Sequence, residues 1–192
     1  MGKIVVSENV TLDGVVQDPA GTEGFARGGW VGRIGEGGRE EAAKVLLDEA
    51  LSAEAQLFGR HTFEFLAARW PARSGELADR LNDMPKYVVS STMKDPDWNN
   101  STVLAGDVVQ EVSKLKQELE GEIVVAGSIR LVHTLMGNDL VDELRLMVYP
   151  VALGAGERLF DETSEQKAFR LVAALSVDDL AYLTYEAVRD AA

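Results

Sequence analysis

Phe58-Gly59-Arg60-His61-Thr62-Phe63-Glu64 and Val124-Val125-Ala126-Gly127-Ser128-Ile129-Arg130 share one plan. In each, a short apolar run of strand type ends at a glycine, and a helix begins within two residues. Glycine lets the backbone turn closely there. The first-turn amides of the helix have no partner inside it, and they sit at its positive dipole end, an arrangement that favours phosphate. Arg60 adds a charge-assisted donor, and Thr62 adds a hydroxyl that either caps the helix or binds phosphate. Ser128 is a natural N-cap, which leaves the amides of Ile129 and Arg130 facing the same space. Neither stretch is the three-glycine dinucleotide fingerprint. Each alone also reads as an ordinary capped junction; the pair is what points to a dinucleotide. Between them, Val88-Val89-Ser90-Ser91-Thr92 places three hydroxyls after a buried strand, where they either form a plain serine-rich loop, as is common at strand exits, or meet phosphate or ribose oxygens.

Outward from these corners the chain alternates strand and helix patterns. Ile4-Val5-Val6 is a β-branched run, and Asp13-Gly14 is a turn signal. Residues 39–53 have helical apolar spacing, residues 56–58 form a strand, and residues 62–70 form a helix that stops before Pro71. Lys86-Tyr87-Val88-Val89-Ser90 is a buried strand. Asp107 caps a helix carrying Val108, Val112, Leu115 and Leu119 on one face, with Gly121 as its stop. A strand over 122–127, a short helix over 128–136 and a strand over 143–151 follow. Residues 169–177 and 180–188 flank Asp178-Asp179 as a closing antiparallel hairpin. The expected fold is α/β, a mostly parallel sheet with helices on both faces and an antiparallel C-terminal edge, as one domain over 1–192. Residues 21–38 are glycine-dense around Trp30 and read as a long mobile loop.

Composition narrows the function. The formal net charge of −13 argues against nucleic acid, which needs clustered Lys and Arg. It leaves room for an anionic cofactor held by a few local arginines, because salt screens the global field over roughly 10 Å. The absence of cysteine excludes disulfides and thiolate chemistry, and the two histidines are too few for a catalytic zinc site. No apolar run reaches a membrane-spanning length of about 18 residues. The N-terminus enters a strand at once without a signal-peptide core, so a cytoplasmic protein is expected.

With the corners, the serine cluster and two further motifs in place, the sequence resembles a known family. Gly59-Arg60-His61-Thr62-Phe63-Glu64 is similar to the cofactor-phosphate motif of dihydrofolate reductases. Val89-Ser90-Ser91 and Val125-Ala126-Gly127-Ser128 follow in that family's order. Thr11-Leu12-Asp13-Gly14 together with Tyr149-Pro150-Val151-Ala152-Leu153-Gly154-Ala155-Gly156 resembles the reductase domain of riboflavin biosynthesis. The resemblance implies a dihydrofolate-reductase-like sheet and an NADPH-dependent oxidoreductase acting on a small heterocyclic or carbonyl substrate, usually as a homodimer. It assigns cofactor phosphates to Gly59, Arg60 and Thr62, with His61 at the border. It gives the adenosine ribose or its 2′-phosphate to Ser90 and Ser91, and the pyrophosphate to Gly127, Ser128, Ile129 and Arg130. The sequence departs from dihydrofolate reductases where their second loop glycine is Ser128. Their pteridine-gripping acid has only Glu40 or Glu41 as counterparts, and spacing does not choose between them; folate is not the expected substrate. The deaminase zinc signature is missing, so a bifunctional riboflavin enzyme is excluded for this chain.

For catalysis, Asp13 and Glu41 are the candidates. Asp13 either orients substrate or a water, or serves its Asp-Gly turn. Trp30 either stacks on a planar substrate or anchors the loop to the core. His133, in an apolar helix, reads as structural. The expected alternative to a reductase is an inactive nicotinamide-dinucleotide-binding regulator or interaction module on the same fold.

Overall fold

The computed structural model describes residues 1–33, 35–160 and 166–189; Ile34 of the glycine-rich segment lies outside them. One eight-stranded sheet organises the chain. Its strands are β1 (Lys3–Thr11), β2 (Ala53–Gly59), β3 (Lys86–Val89), β4 (Ser101–Leu104), β5 (Glu122–Ala126), β6 (Glu143–Tyr149), β7 (Ala168–Val177) and β8 (Leu180–Val188). The helices are α1 (Glu36–Ser52), α2 (Arg60–Ala67), α3 (Glu76–Asp83), α4 (Val108–Glu118) and α5 (Ile129–Gly137). The spatial order is β4-β3-β2-β5-β1-β6-β8-β7. The first six strands are mutually parallel, and β8 runs antiparallel to both of its neighbours, β6 and the edge strand β7.

Buried apolar residues explain the two covered faces. In β1 the alternation sends Ile4, Val6 and Val10 into one cluster with Val112 and Leu115 of α4 and Leu131, Val132 and Leu135 of α5. Val5 joins the opposite cluster, with Ala50 of α1, Phe63 of α2 and Leu81 of α3. This is the double burial that β-branched parallel strands require. Asp107 caps α4 as expected, its carboxylate accepting the Gln110 amide at 3.0 Å.

Several boundaries differ from expectation. Gly37 and Gly38 belong to α1, and Ala53 starts β2 rather than ending α1. α2 begins at Arg60 and closes at Ala67, so the chain up to Pro71 is turn. α3 and β4 were not expected. α3 buries only Ala78 and Leu81, and β4 is a four-residue edge strand with one buried side chain, so neither carries a long apolar period.

The glycine-rich segment is not an open loop. It folds round Asp18, which is 4% exposed. One Asp18 carboxylate oxygen accepts the amides of Thr22 (2.8 Å) and Glu23 (3.1 Å), and the other accepts the Phe25 amide at 3.1 Å. Its carbonyl accepts from Gly21 and Gly29. A side chain at Gly28 would strike the Asp18 carboxylate, which accounts for glycine there. Trp30 is buried, donates Nε1–H to the Gln17 carbonyl at 3.0 Å and meets Tyr149 edge-on at 5.2 Å. It anchors the segment and is not available to stack on a substrate.

Candidate cofactor cleft

The expected corners meet. The Gly59 amide donates to Ser128 Oγ at 2.9 Å, and the Ser128 amide donates to Thr62 Oγ1 at 2.9 Å. These reciprocal bonds lock the N-termini of α2 and α5 side by side at the carboxyl ends of β2 and β5. Ser128 is therefore not a side-chain cap of α5: it sits at φ 60°, and its hydroxyl reaches across to the other corner. Thr62 likewise serves the other corner's backbone. Each hydroxyl accepts an amide and, among the described residues, donates to no protein group, so both keep an O–H for an incoming oxygen anion.

Neither α2 nor α5 has a side-chain cap bond or an acidic residue in its first turn, in contrast to α4. Their first-turn amides stay free to meet an anion, and the two positive helix ends reinforce one another. Glycine suits position 127: φ is 63°, and a Cβ there would lie 3.0 Å from Thr62 Cγ2. Glycine at 127 keeps this close approach free of a side chain.

Arg60 extends the cleft toward the β3 exit. Its Nε donates to Glu64 at 2.7 Å, and its terminal nitrogen donates to Thr92 Oγ1 at 2.6 Å. Ser90 Oγ, largely buried, accepts the amides of Thr92 (3.3 Å) and Met93 (3.1 Å) and fixes that turn. Ser91 and Arg130 are exposed, and Ile129 is half-buried. Exposed His61 faces Glu23 across 3.3 Å, so the Asp18-centred segment reaches the start of α2. The structure thus gathers Gly59, Arg60, Thr62, Ser90, Gly127 and Ser128 along one sheet end, with His61, Ser91, Ile129 and Arg130 at its margins.

The catalytic candidates are placed elsewhere. Thr11 donates to the Asp13 carboxylate at 2.7 Å, and the amides of Leu153 (3.1 Å) and Gly154 (2.7 Å) donate to it as well. These donors pull its pKa down to about 2, with the Thr11 bond as the largest cause. Asp13 is a fixed carboxylate that clasps the two motifs of the riboflavin-reductase resemblance together, and it holds no proton to donate. Gly156 belongs to the same junction: φ is 122°, and a Cβ would sit 2.7 Å from Val15. Glu41 is exposed on α1 and pairs with Lys44. The buried acid of α1 is instead Glu49, which accepts from Ser7 Oγ (2.8 Å) and the Tyr182 hydroxyl (2.6 Å). His133 faces the carbonyls of Arg158 and Leu159, in keeping with a structural role.

Sequence reasoning missed Glu8 and Asp18. Glu8 carried a signal: it is a lone acid on the inward phase of Ile4, Val6 and Val10 in β1. Asp18 acts through local loop geometry that no periodicity reveals.

Comparison with known proteins agrees with this layout. The putative riboflavin biosynthesis protein of Shewanella sp. PV-4 superposes with a TM-score of 0.71 at 19% identity, covering 97% of this chain and 99% of that one. Dihydrofolate reductase of Enterococcus faecalis, solved with NADP(H), gives a TM-score of 0.60 at 16% identity over 96% of each chain. At these identities the likeness concerns the fold. In sequence, YyaP of Bacillus subtilis strain 168 is 31% identical over 121 residues, which span 60% of this chain and a little under two thirds (64%) of YyaP. The model of the RibD C-terminal domain family matches residues 2–181, and the chain belongs to that family.

Proposed function

We propose that this protein is an NADPH-dependent reductase of a small heterocyclic or carbonyl substrate. The observation that carries the proposal is the reciprocal clamp between Gly59, Thr62 and Ser128, which sets two uncapped helix N-termini side by side. In this reading Gly127, Ser128, Ile129 and Arg130 hold the pyrophosphate, with Gly59 and Thr62 opposite. Arg60, Ser90 and Ser91 take the adenosine 2′-phosphate side, which favours NADPH over NADH; no acidic residue in these motifs claims a ribose 2′-hydroxyl. When bound, the cofactor supplies the hydride, and the protein orients its nicotinamide against the substrate.

Titration of NADPH followed by its fluorescence tests the assignment. Arg60→Ala is expected to weaken binding by roughly 1.5–3 kcal/mol, as for a charged hydrogen bond. Absence of binding at millimolar cofactor refutes it. Binding without turnover, as in a regulator, is favoured by one observation: neither Asp13 nor Glu41 is placed to give a proton. Turnover on a panel of carbonyl and heterocyclic substrates separates the two.

A homodimer also belongs to the proposal. Edge strand β7 exposes Leu171, Val172 and Leu175, each more than half exposed, a long apolar edge of the kind that natural proteins cover. Solution mass by light scattering is expected to be twice that of the chain.

A further inference from the structure

β1 and β5 part company inside the sheet. Their pairing ends at Ser7↔Ala126, whereas β1 continues alongside β6 as far as Thr11↔Tyr149. The chain also leaves this boundary in opposite directions, from β1 towards β2 and from β5 towards β6. That makes it the switch point of the sheet, where open α/β folds hold ligands. Glu8 is the first residue of β1 beyond the split.

Glu8 is 9% exposed and shares its strand face with Val6 and Val10, under α5. Its Oε1 is fully buried and meets no hydrogen-bond partner. Among the described residues no Lys, Arg or His forms an ion pair with it. Among the described residues, the Gly127 backbone amide favours its ionised form. Burial outweighs that amide and pushes the carboxyl up to about 8. A buried carboxyl left one bond short is rare in folded proteins and calls for a partner. The same Gly127 borders the clamp that would hold a pyrophosphate, so Glu8 lies beside the cofactor cleft, at the split rather than at the adenosine side.

We propose that Glu8 is the residue that binds the nicotinamide end of the cofactor, its carboxyl rotating out of the enclosed position so that the unpartnered oxygen accepts the carboxamide N–H. The inference rests on the NADPH assignment above and adds to it a specific contact. An uncharged carboxyl offers one O–H and one acceptor oxygen, and a primary carboxamide offers the complementary C=O and N–H. The pair closes two hydrogen bonds in an apolar setting, and a methyl ketone in place of the amide removes one of them.

Equilibrium binding of three probes to the whole protein tests this. NADPH carries the carboxamide, its reduced 3-acetylpyridine analogue lacks the N–H, and 2′,5′-ADP lacks the nicotinamide altogether. Glu8→Leu is expected to weaken NADPH at least tenfold and to leave 2′,5′-ADP within twofold. Wild-type protein is expected to bind the acetylpyridine analogue at least fivefold more weakly than NADPH. Equal losses for NADPH and 2′,5′-ADP in the variant, or no loss for either, overturn the inference and leave Glu8 a structural group. Should Glu8→Leu fail to fold, equal wild-type affinity for NADPH and the analogue overturns it. Wild-type protein that binds neither NADPH nor 2′,5′-ADP removes the cofactor assignment itself.

Discussion

Glu8→Gln is a near-isosteric change that makes the ionisation of one buried group measurable as stability. In the folded protein burial holds the Glu8 carboxyl near 8, against 4.5 for an ordinary glutamate. Below about pH 4.5 both folded and unfolded chains carry the proton, and Glu8 makes stability independent of pH. Between about 4.5 and 8 the unfolded chain has released the proton while the folded chain keeps it. Stability therefore falls as pH rises, by about 1.4 kcal/mol per unit. Across the whole window the loss reaches about 5 kcal/mol at most, and it levels off above pH 8, where both states are ionised. Glutamine does not titrate, so its variant lacks this slope. Urea unfolding of wild type and Glu8→Gln at half-unit steps from pH 5 to pH 9 measures the difference, with all other carboxylates cancelling between the two proteins. The variant should gain on wild type steadily up to pH 8, by at least 2 kcal/mol. Parallel curves would show that Glu8 ionises freely in the folded state and would refute the burial argument.

Two further outcomes follow from other parts of the molecule. Lys86, fully buried at the start of β3, donates to the carbonyls of Asn82 (3.0 Å), Met84 (2.8 Å) and Asn99 (3.0 Å), with Nζ 4.6 Å from the Trp98 ring centroid. Lys86→Met leaves three carbonyls without their donor and should lower unfolding free energy by about 3–5 kcal/mol in urea, while the folded variant binds NADPH as wild type does. Gly127→Ala forces a left-handed residue and pushes a methyl toward Thr62; it should cost about 1–2 kcal/mol of stability and weaken NADPH more than tenfold, read by melting and by fluorescence titration.

The sheet was legible because its central strands are short β-branched runs bounded by glycine, and because the closing hairpin flanks a clear turn. α3 and β4 escaped because each buries so little that its pattern is indistinguishable from loop. Of the cleft, the corners at Gly59 and Gly127 were visible, since glycine and hydroxyl residues at strand exits have a specific physical use. How they join was not: the bonds between Ser128 and Gly59 and between Thr62 and Ser128 cross more than sixty residues of chain. Asp13 shows the opposite case. Its Asp-Gly turn was plain, but only the fold shows its carboxylate bound to Leu153 and Gly154. Trp30 had two open roles, and its hydrogen bond to Gln17 decides for the anchor.

The crossed bonds at Gly59, Thr62 and Ser128 also govern how this scaffold can be redesigned. Transplanting a cofactor loop that carries glycine in place of Ser128 would strand the Gly59 amide, and keeping the native loop while replacing Thr62 with valine would strand the amide of Ser128. The two segments form a single structural unit, and specificity engineering has to move them together.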